Sequence, residues 1–216
     1  NAQAYAETCA AIANAMWNWR MLLASGEGTY ADVMELAMYN GALSGISLDG
    51  KQYFYVNPLA DRGAHRRQAW FPCACCPPNI ARTLAALPGY FYSTSAEDVY
   101  VHLYAASTAR FSLADGRAIG LTQRTRYPWD GRVEIEVDAE GEFGLFLRLP
   151  AWCEAGAAVA INGQAHAGQA VPGSYAAIKR HWRRGDVVTL DLPMPVRQVE
   201  AHPYALENAG RVALVR

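Results

Sequence analysis

No run of apolar residues in these 216 approaches the length that crosses a bilayer, and no secretory leader is visible. Neither sign of charge dominates, with 19 Lys and Arg against 20 Asp and Glu, a formal net of −1. That balance gives no electrostatic case for a nucleic acid or an anionic membrane as partner. Repeats, low-complexity tracts and flexible linkers are lacking too, so the parts of the chain are expected to pack directly. Cysteine is scarce: there are five, an odd number, and three of them crowd together at 73, 75 and 76. This usage argues against a disulfide framework and for a reducing compartment, the cytoplasm. What is present is ordinary for a globular protein, 52% apolar and 18% charged residues in a chain long enough for one large domain or two ordinary ones. Asn1 opens inside a helical pattern and Val212–Arg216 stops inside a strand pattern, so the chain reads as part of a longer protein.

Apolar spacing predicts three helices, over Ala10–Leu23, Tyr30–Leu43 and Ile80–Leu87. The first is apolar around much of its circumference, which predicts extensive burial. Tyr53–Val56 is a short strand signal, and Asn57–Arg67 a polar loop whose Arg66 and Arg67 face water. After Pro88-Gly89 the pattern changes to short alternating strands at 99–104, 133–137, 144–149, 158–161, 175–178, 187–192 and 211–215. Turn dipeptides such as Asp115-Gly116, Asn162-Gly163 and Arg184-Gly185 separate them. The expected fold is multidomain, α then β: stacked helical hairpins or the end of a helical barrel over 1–92, then an antiparallel β-sandwich over 93–216. His102 and His181 fall on strands as hydrogen-bonded sheet residues, and Glu35 falls on the solvated face of a helix.

The chemistry gathers at Trp70–Asn79, W-F-P-C-A-C-C-P-P-N. Proline suits a helix's first turn, so Cys75 and Cys76 sit where the third helix begins. Backbone N–H groups and the positive end of a helix dipole lower a thiol's pKa there, which predicts thiolates. Glu7 and Cys9 in Tyr5–Cys9, Y-A-E-T-C, share one side only if the backbone there is extended or turning, with Thr8 as a fair N-cap. Three sulfurs and one carboxylate, Cys9, Cys75, Cys76 and Glu7, make a plausible zinc set. Cys73 competes for third ligand, and buried free cysteines are the alternative reading. Cys153, alone after Trp152, reads as packing. A thiol redox role is disfavoured because C-A-C-C lacks the C-x-x-C spacing.

Five stretches carry a resemblance: E-T-C; Tyr53–Leu59, Y-F-Y-V-N-P-L; W-F-P-C-A-C-C-P-P-N-I-A-R; R-L-P-A-W-C; and H-W-R-R-G-D-V-V-T-L-D-L-P-M-P. In this order they resemble the β-L-arabinofuranosidase family, glycoside hydrolase family 127. The resemblance implies an (α/α)₆ barrel, of which the chain holds the C-terminal helices, followed by a β-sandwich. It implies zinc (Zn2+) on Glu7, Cys9, Cys75 and Cys76, with Cys75 also the nucleophile of a retaining hydrolase. It places Tyr55 in the sugar site, although a strand tyrosine packing under the helices fits the residue equally. The carbohydrate partner implied is an L-arabinofuranoside-containing glycan. The family's acid/base glutamate lies before E-T-C and so outside this chain, which is expected to be inactive alone. The alternative is a non-catalytic protein with a structural Cys₃Glu zinc site and a carbohydrate-binding sandwich.

Overall fold

The computed structural model describes residues 4–154, 156–168 and 170–216; Asn1 lies outside them. Helix α1 runs over Thr8–Ser25 and α2 over Gly28–Leu36. The predicted second helix does not continue regularly to Leu43: a π-helical turn covers Ala37–Ala42 and a 3₁₀ turn Leu43–Gly45. Helix α3 covers Cys76–Ala86 and tightens into a 3₁₀ turn at Leu87–Tyr90. The predicted strand at Tyr53–Val56 is instead a set of isolated bridges, Tyr53 to Ile46 and Gln68, and Val56 to Glu7. In α1 the buried line is Ile12, Ala15, Asn18 and Leu22, whereas Trp17 is 67% exposed, so the expectation of burial around the helix is not met within this chain.

The structure divides into two compact units. One runs to Trp17 and takes in Leu36–Ala85 and Met194–Arg216; the other is Asn18–Glu35 with Ala86–Pro193. The first holds the cysteine cluster and a hairpin of two strands, β11 (Arg197–Glu200) and β12 (Val212–Val215). Among its described residues the second carries ten strands in two sheets. The four-stranded sheet is ordered β1 (Tyr92–Thr94), β2 (Asp98–Val101), β6 (Gly141–Leu149), β9 (Ser174–Trp182). The six-stranded one is ordered β3 (Ser107–Ser112), β4 (Ala118–Thr125), β5 (Arg132–Asp138), β10 (Val187–Asp191), β7 (Ala158–Ile161), β8 (Gln164–Ala165). One pair departs from the antiparallel expectation: β2 runs parallel to β6, Val99 opposite Leu145. A parallel pair needs a long crossover, and β3–β5 supply it. Alternation buries Val99, Val101, Leu145, Leu147 and Ile178 from the smaller sheet and Ile119, Leu121, Val133, Ile135, Val188 and Leu190 from the larger. The Asn162-Gly163 turn has φ of 51° and 79°, the left-handed pair that a two-residue hairpin between β7 and β8 demands.

Glu35 corrects a sequence expectation. It is 5% exposed rather than solvated. Its Oε1 accepts hydrogen bonds from Arg148 Nη2 and Tyr127 Oη, both at 2.6 Å, and its Oε2 accepts one from Trp152 Nε1 at 3.2 Å. Arg148 is fully buried on β6, and Asp32 of α2 takes its other terminal nitrogen at 2.5 Å. The guanidinium Nε donates to the His102 carbonyl at 2.6 Å, so one cation ties α2 to the end of β2. Helical spacing puts Asp32 and Glu35 on one face, and here that face meets an arginine instead of water.

His102 is hydrogen-bonded as expected, its Nε2 2.8 Å from Ser93 Oγ and its Nδ1 2.6 Å from Tyr175 Oη, and it is also buried. Burial, then the Arg148 charge, lowers its pKa to about 3. The unfolded chain takes up a proton near the ordinary value of about 6.5 that the folded protein refuses. Stability is therefore whole above pH 6.5 and falls as pH drops from there toward 3, by about 1.4 kcal/mol for each pH unit from this residue. Denaturant unfolding of this protein and of His102→Gln at pH 7 and pH 5 should show a shallower acid loss in the variant. His181, by contrast, is exposed.

Candidate metal centre

Two helix starts supply the cluster. The Ala11 N–H donates to the Glu7 carbonyl at 3.1 Å, which makes Glu7 the N-cap of α1 and puts Cys9 in its first turn. The Asn79 N–H likewise donates to the Cys75 carbonyl at 3.1 Å, so Cys75 caps α3 and Cys76 is its first residue. The segment at 54–57 braces both. Thr8 N–H bonds the Tyr55 carbonyl at 3.0 Å, and Asn57 N–H bonds the Ala6 carbonyl at 2.8 Å. Thr8 is not the N-cap expected from sequence. Its hydroxyl donates to the Phe54 carbonyl at 2.9 Å and accepts from Asn57 Nδ2 at 2.9 Å. Gly45 packs against it so closely that a Cβ there would lie 2.7 Å from the Thr8 side chain.

Donor atoms of Glu7, Cys9, Cys75 and Cys76 all fall within 4.8 Å of one another, a group that could hold a metal ion. Cys75 Sγ is 3.4 Å from Cys9 Sγ, 3.7 Å from Cys76 Sγ and 3.5 Å from Glu7 Oε1; Cys76 Sγ is 3.9 Å from that oxygen. Cys73 is exposed and outside the group, and Cys153 is buried in the other unit, its Sγ 3.9 Å from the Pro193 carbonyl. Tyr55 Oη lies 3.0 Å from Cys75 Sγ, and its ring meets Phe71 edge-on at 5.5 Å, so it touches the cluster as well as packing. Arg67 is not wholly solvated as expected. Its guanidinium covers the Phe54 ring at 4.3 Å and donates to the Ser44 carbonyl at 2.8 Å, while Arg66 stays exposed.

Burial, then the Cys9 thiol, pushes the Cys76 thiol well above its ordinary range. Burial also raises Cys9, against a hydrogen bond from Asn79 that lowers it. The hydrogen bond to Cys75 chiefly raises Tyr55. At Cys76 burial and the neighbouring sulfurs thus act against the lowering that a helix start brings to a thiol. Pro77 and Pro78 bring no N–H to the first turn of α3, and three crowded sulfurs disfavour one another's negative charge. A cation among them would reverse that balance.

Two family models match, the β-L-arabinofuranosidase GH127 catalytic domain over residues 1–89 and the GH127 middle domain over 98–194. The chain belongs to glycoside hydrolase family 127. A non-reducing end β-L-arabinofuranosidase of Bifidobacterium longum subsp. longum is 38% identical, matched over 98% of this chain and 34% of its own length. A crystal structure of a GH127 β-L-arabinofuranosidase from Geobacillus stearothermophilus T6 is 48% identical with a TM-score of 0.90, covering 99% of this chain and 35% of that one. A second solved GH127 β-arabinofuranosidase is 38% identical with a TM-score of 0.93, covering all of this chain and 37% of that one. The chain thus spans about a third of the length of these GH127 relatives. The E-T-C and C-C-P-P-N stretches that carried the resemblance are the ones that supply the four clustered donors.

Proposed function

We propose that this chain is the zinc-binding and nucleophile-bearing part of a retaining glycoside hydrolase acting on a β-L-arabinofuranoside. Residues 1–92 would be the end of an (α/α)₆ catalytic barrel and 93–216 a β-sandwich, in a protein working in a reducing, cytoplasmic setting. The observation that carries the reading is the donor set. A tetrahedral zinc with bonds of about 2.3 Å to sulfur and 2.0 Å to oxygen needs S···S edges of about 3.8 Å and S···O edges of about 3.5 Å. Four of the six edges, the S···S contacts of 3.4 and 3.7 Å and the S···O contacts of 3.5 and 3.9 Å, lie near that size, within a group that spans 4.8 Å. Glu7, Cys9, Cys75 and Cys76 would hold the ion, which when bound keeps the sulfurs deprotonated at neutral pH.

The chain's own chemistry then centres on Cys75. Its sulfur attacks the anomeric carbon as the bond to the leaving oxygen breaks. That oxygen takes a proton from the acid/base glutamate that the resemblance puts outside this chain. Water, deprotonated by the same carboxylate, displaces the sulfur and completes retention. Tyr55, with its hydroxyl 3.0 Å from that sulfur, would fix the direction of attack and contact the sugar. Arabinofuranosidase relatives support the substrate class.

Four protein donors also suit a purely structural zinc site, and metal dependence of turnover separates the readings. The intact protein should contain one zinc per chain by elemental analysis. Stripping it with a chelator should abolish hydrolysis of an aryl β-L-arabinofuranoside, and added zinc should restore it. Full turnover by metal-free protein would reject the proposal.

A further inference from the structure

We propose that Asn79 is a positioning residue for the metal centre, its side-chain amide steering the Cys9 sulfur into the ligand set. This rests on the metal reading above and goes beyond the four ligands. Asn79 Nδ2 donates to Cys9 Sγ at 3.3 Å, across 70 positions of sequence. The same residue's N–H bonds the Cys75 carbonyl at 3.1 Å, and its own carbonyl accepts from Thr83 Oγ1 at 2.8 Å. One residue is thereby anchored in α3 on both sides of its backbone while its side chain reaches the other helix start.

The chemistry explains why the task falls to a side chain. A sulfur bound to a metal carries negative charge and is oriented by N–H donors around it. A helix start ordinarily presents such donors from its backbone. Positions 77 and 78 are both proline, so the first turn of α3 has lost two of them. Asn79 is the next residue, and its amide takes their place on the sulfur that arrives from α1. Without that bond Cys9 is free to turn to another rotamer, which removes one corner of the set.

The test is cobalt binding by the intact, metal-stripped protein, followed through sulfur-to-cobalt charge-transfer absorption in competition with a chromophoric chelator. Asn79→Leu, close in size but without a donor, should weaken affinity by about 10- to 100-fold, the usual cost of losing a group that orients a ligand. Asn79→Gln, which keeps the amide, should recover part of it. If Asn79→Leu does not fold, Asn79→Asp serves in its place and should lose at least as much. Thermal unfolding of each variant in chelator should match the parent, since the role concerns the metal and not the apo fold. Unchanged affinity in the donorless variants, beside a parent that binds, overturns the role of Asn79 alone. A parent that takes up no metal overturns the metal reading and this inference with it.

Discussion

Cys75→Ala in the intact protein should lose about 10⁴-fold or more of turnover on an aryl β-L-arabinofuranoside, since removal of an enzyme's nucleophile costs that order in kcat. The substitution removes a proposed ligand as well as a proposed nucleophile, so it needs a partner measurement. Cys9→Ser also removes one of the three sulfurs yet leaves Cys75 in place, 3.0 Å from Tyr55 Oη. If Cys75 attacks the sugar, Cys9→Ser should retain much more activity than Cys75→Ala at equal zinc content, with zinc added to saturation. Equal losses in both would reduce Cys75 to a ligand. Near-normal turnover in Cys75→Ala would remove it from the mechanism altogether. Product configuration, read by NMR early in the reaction, should show retention in the parent.

Arg148→Met should destabilise the strand-rich unit by about 3–5 kcal/mol, the cost of stranding the partners of a buried ion pair. Arg148 is fully buried, with Glu35 at 2.6 Å and Asp32 at 2.5 Å, and it also holds the His102 carbonyl. Burial works against its charge, but Glu35, Tyr127, Asp32 and Tyr104 together outweigh that and hold the guanidinium ionised. Guanidinium chloride unfolding, monitored by tryptophan fluorescence, measures the loss. The double variant Arg148→Met with Glu35→Leu should recover a good part of it, because the stranded carboxylate is then gone. A single variant within about 0.5 kcal/mol of the parent would mean that the pair contributes little beyond packing.

Glu35 also shows where sequence reading stops. Nothing in the helical spacing of α2 separates a carboxylate in water from one that meets an arginine 113 positions away. The donor cluster was legible because motif carries chemistry: E-T-C and C-C-P-P-N hold the four donor atoms whatever lies between them. The finer geometry was not. Cys73 stands two residues from Cys75 and has the same chemistry, and only the chain path leaves it outside. Strands rich in β-branched residues, such as Val133–Val137 and Val187–Leu192, announced themselves. The Ser107–Ser112 strand did not, because S-T-A-R-F-S is half exposed and carries one large apolar residue, Phe111. Nor could alternation reveal that β2 lies parallel to β6, since the period of two is the same in either direction.

The 66 positions between Cys9 and Cys75 set an order of events in synthesis. At roughly 5–20 residues per second, the thiol of the first helix waits about 3–13 s before its counterpart has even been polymerised. No ribosome-bound intermediate that ends short of Cys75 owns more than half of the donors. An ion held by all four would accordingly be enclosed only after translation has passed Cys76, and until then the early cysteine has none of its partner sulfurs beside it.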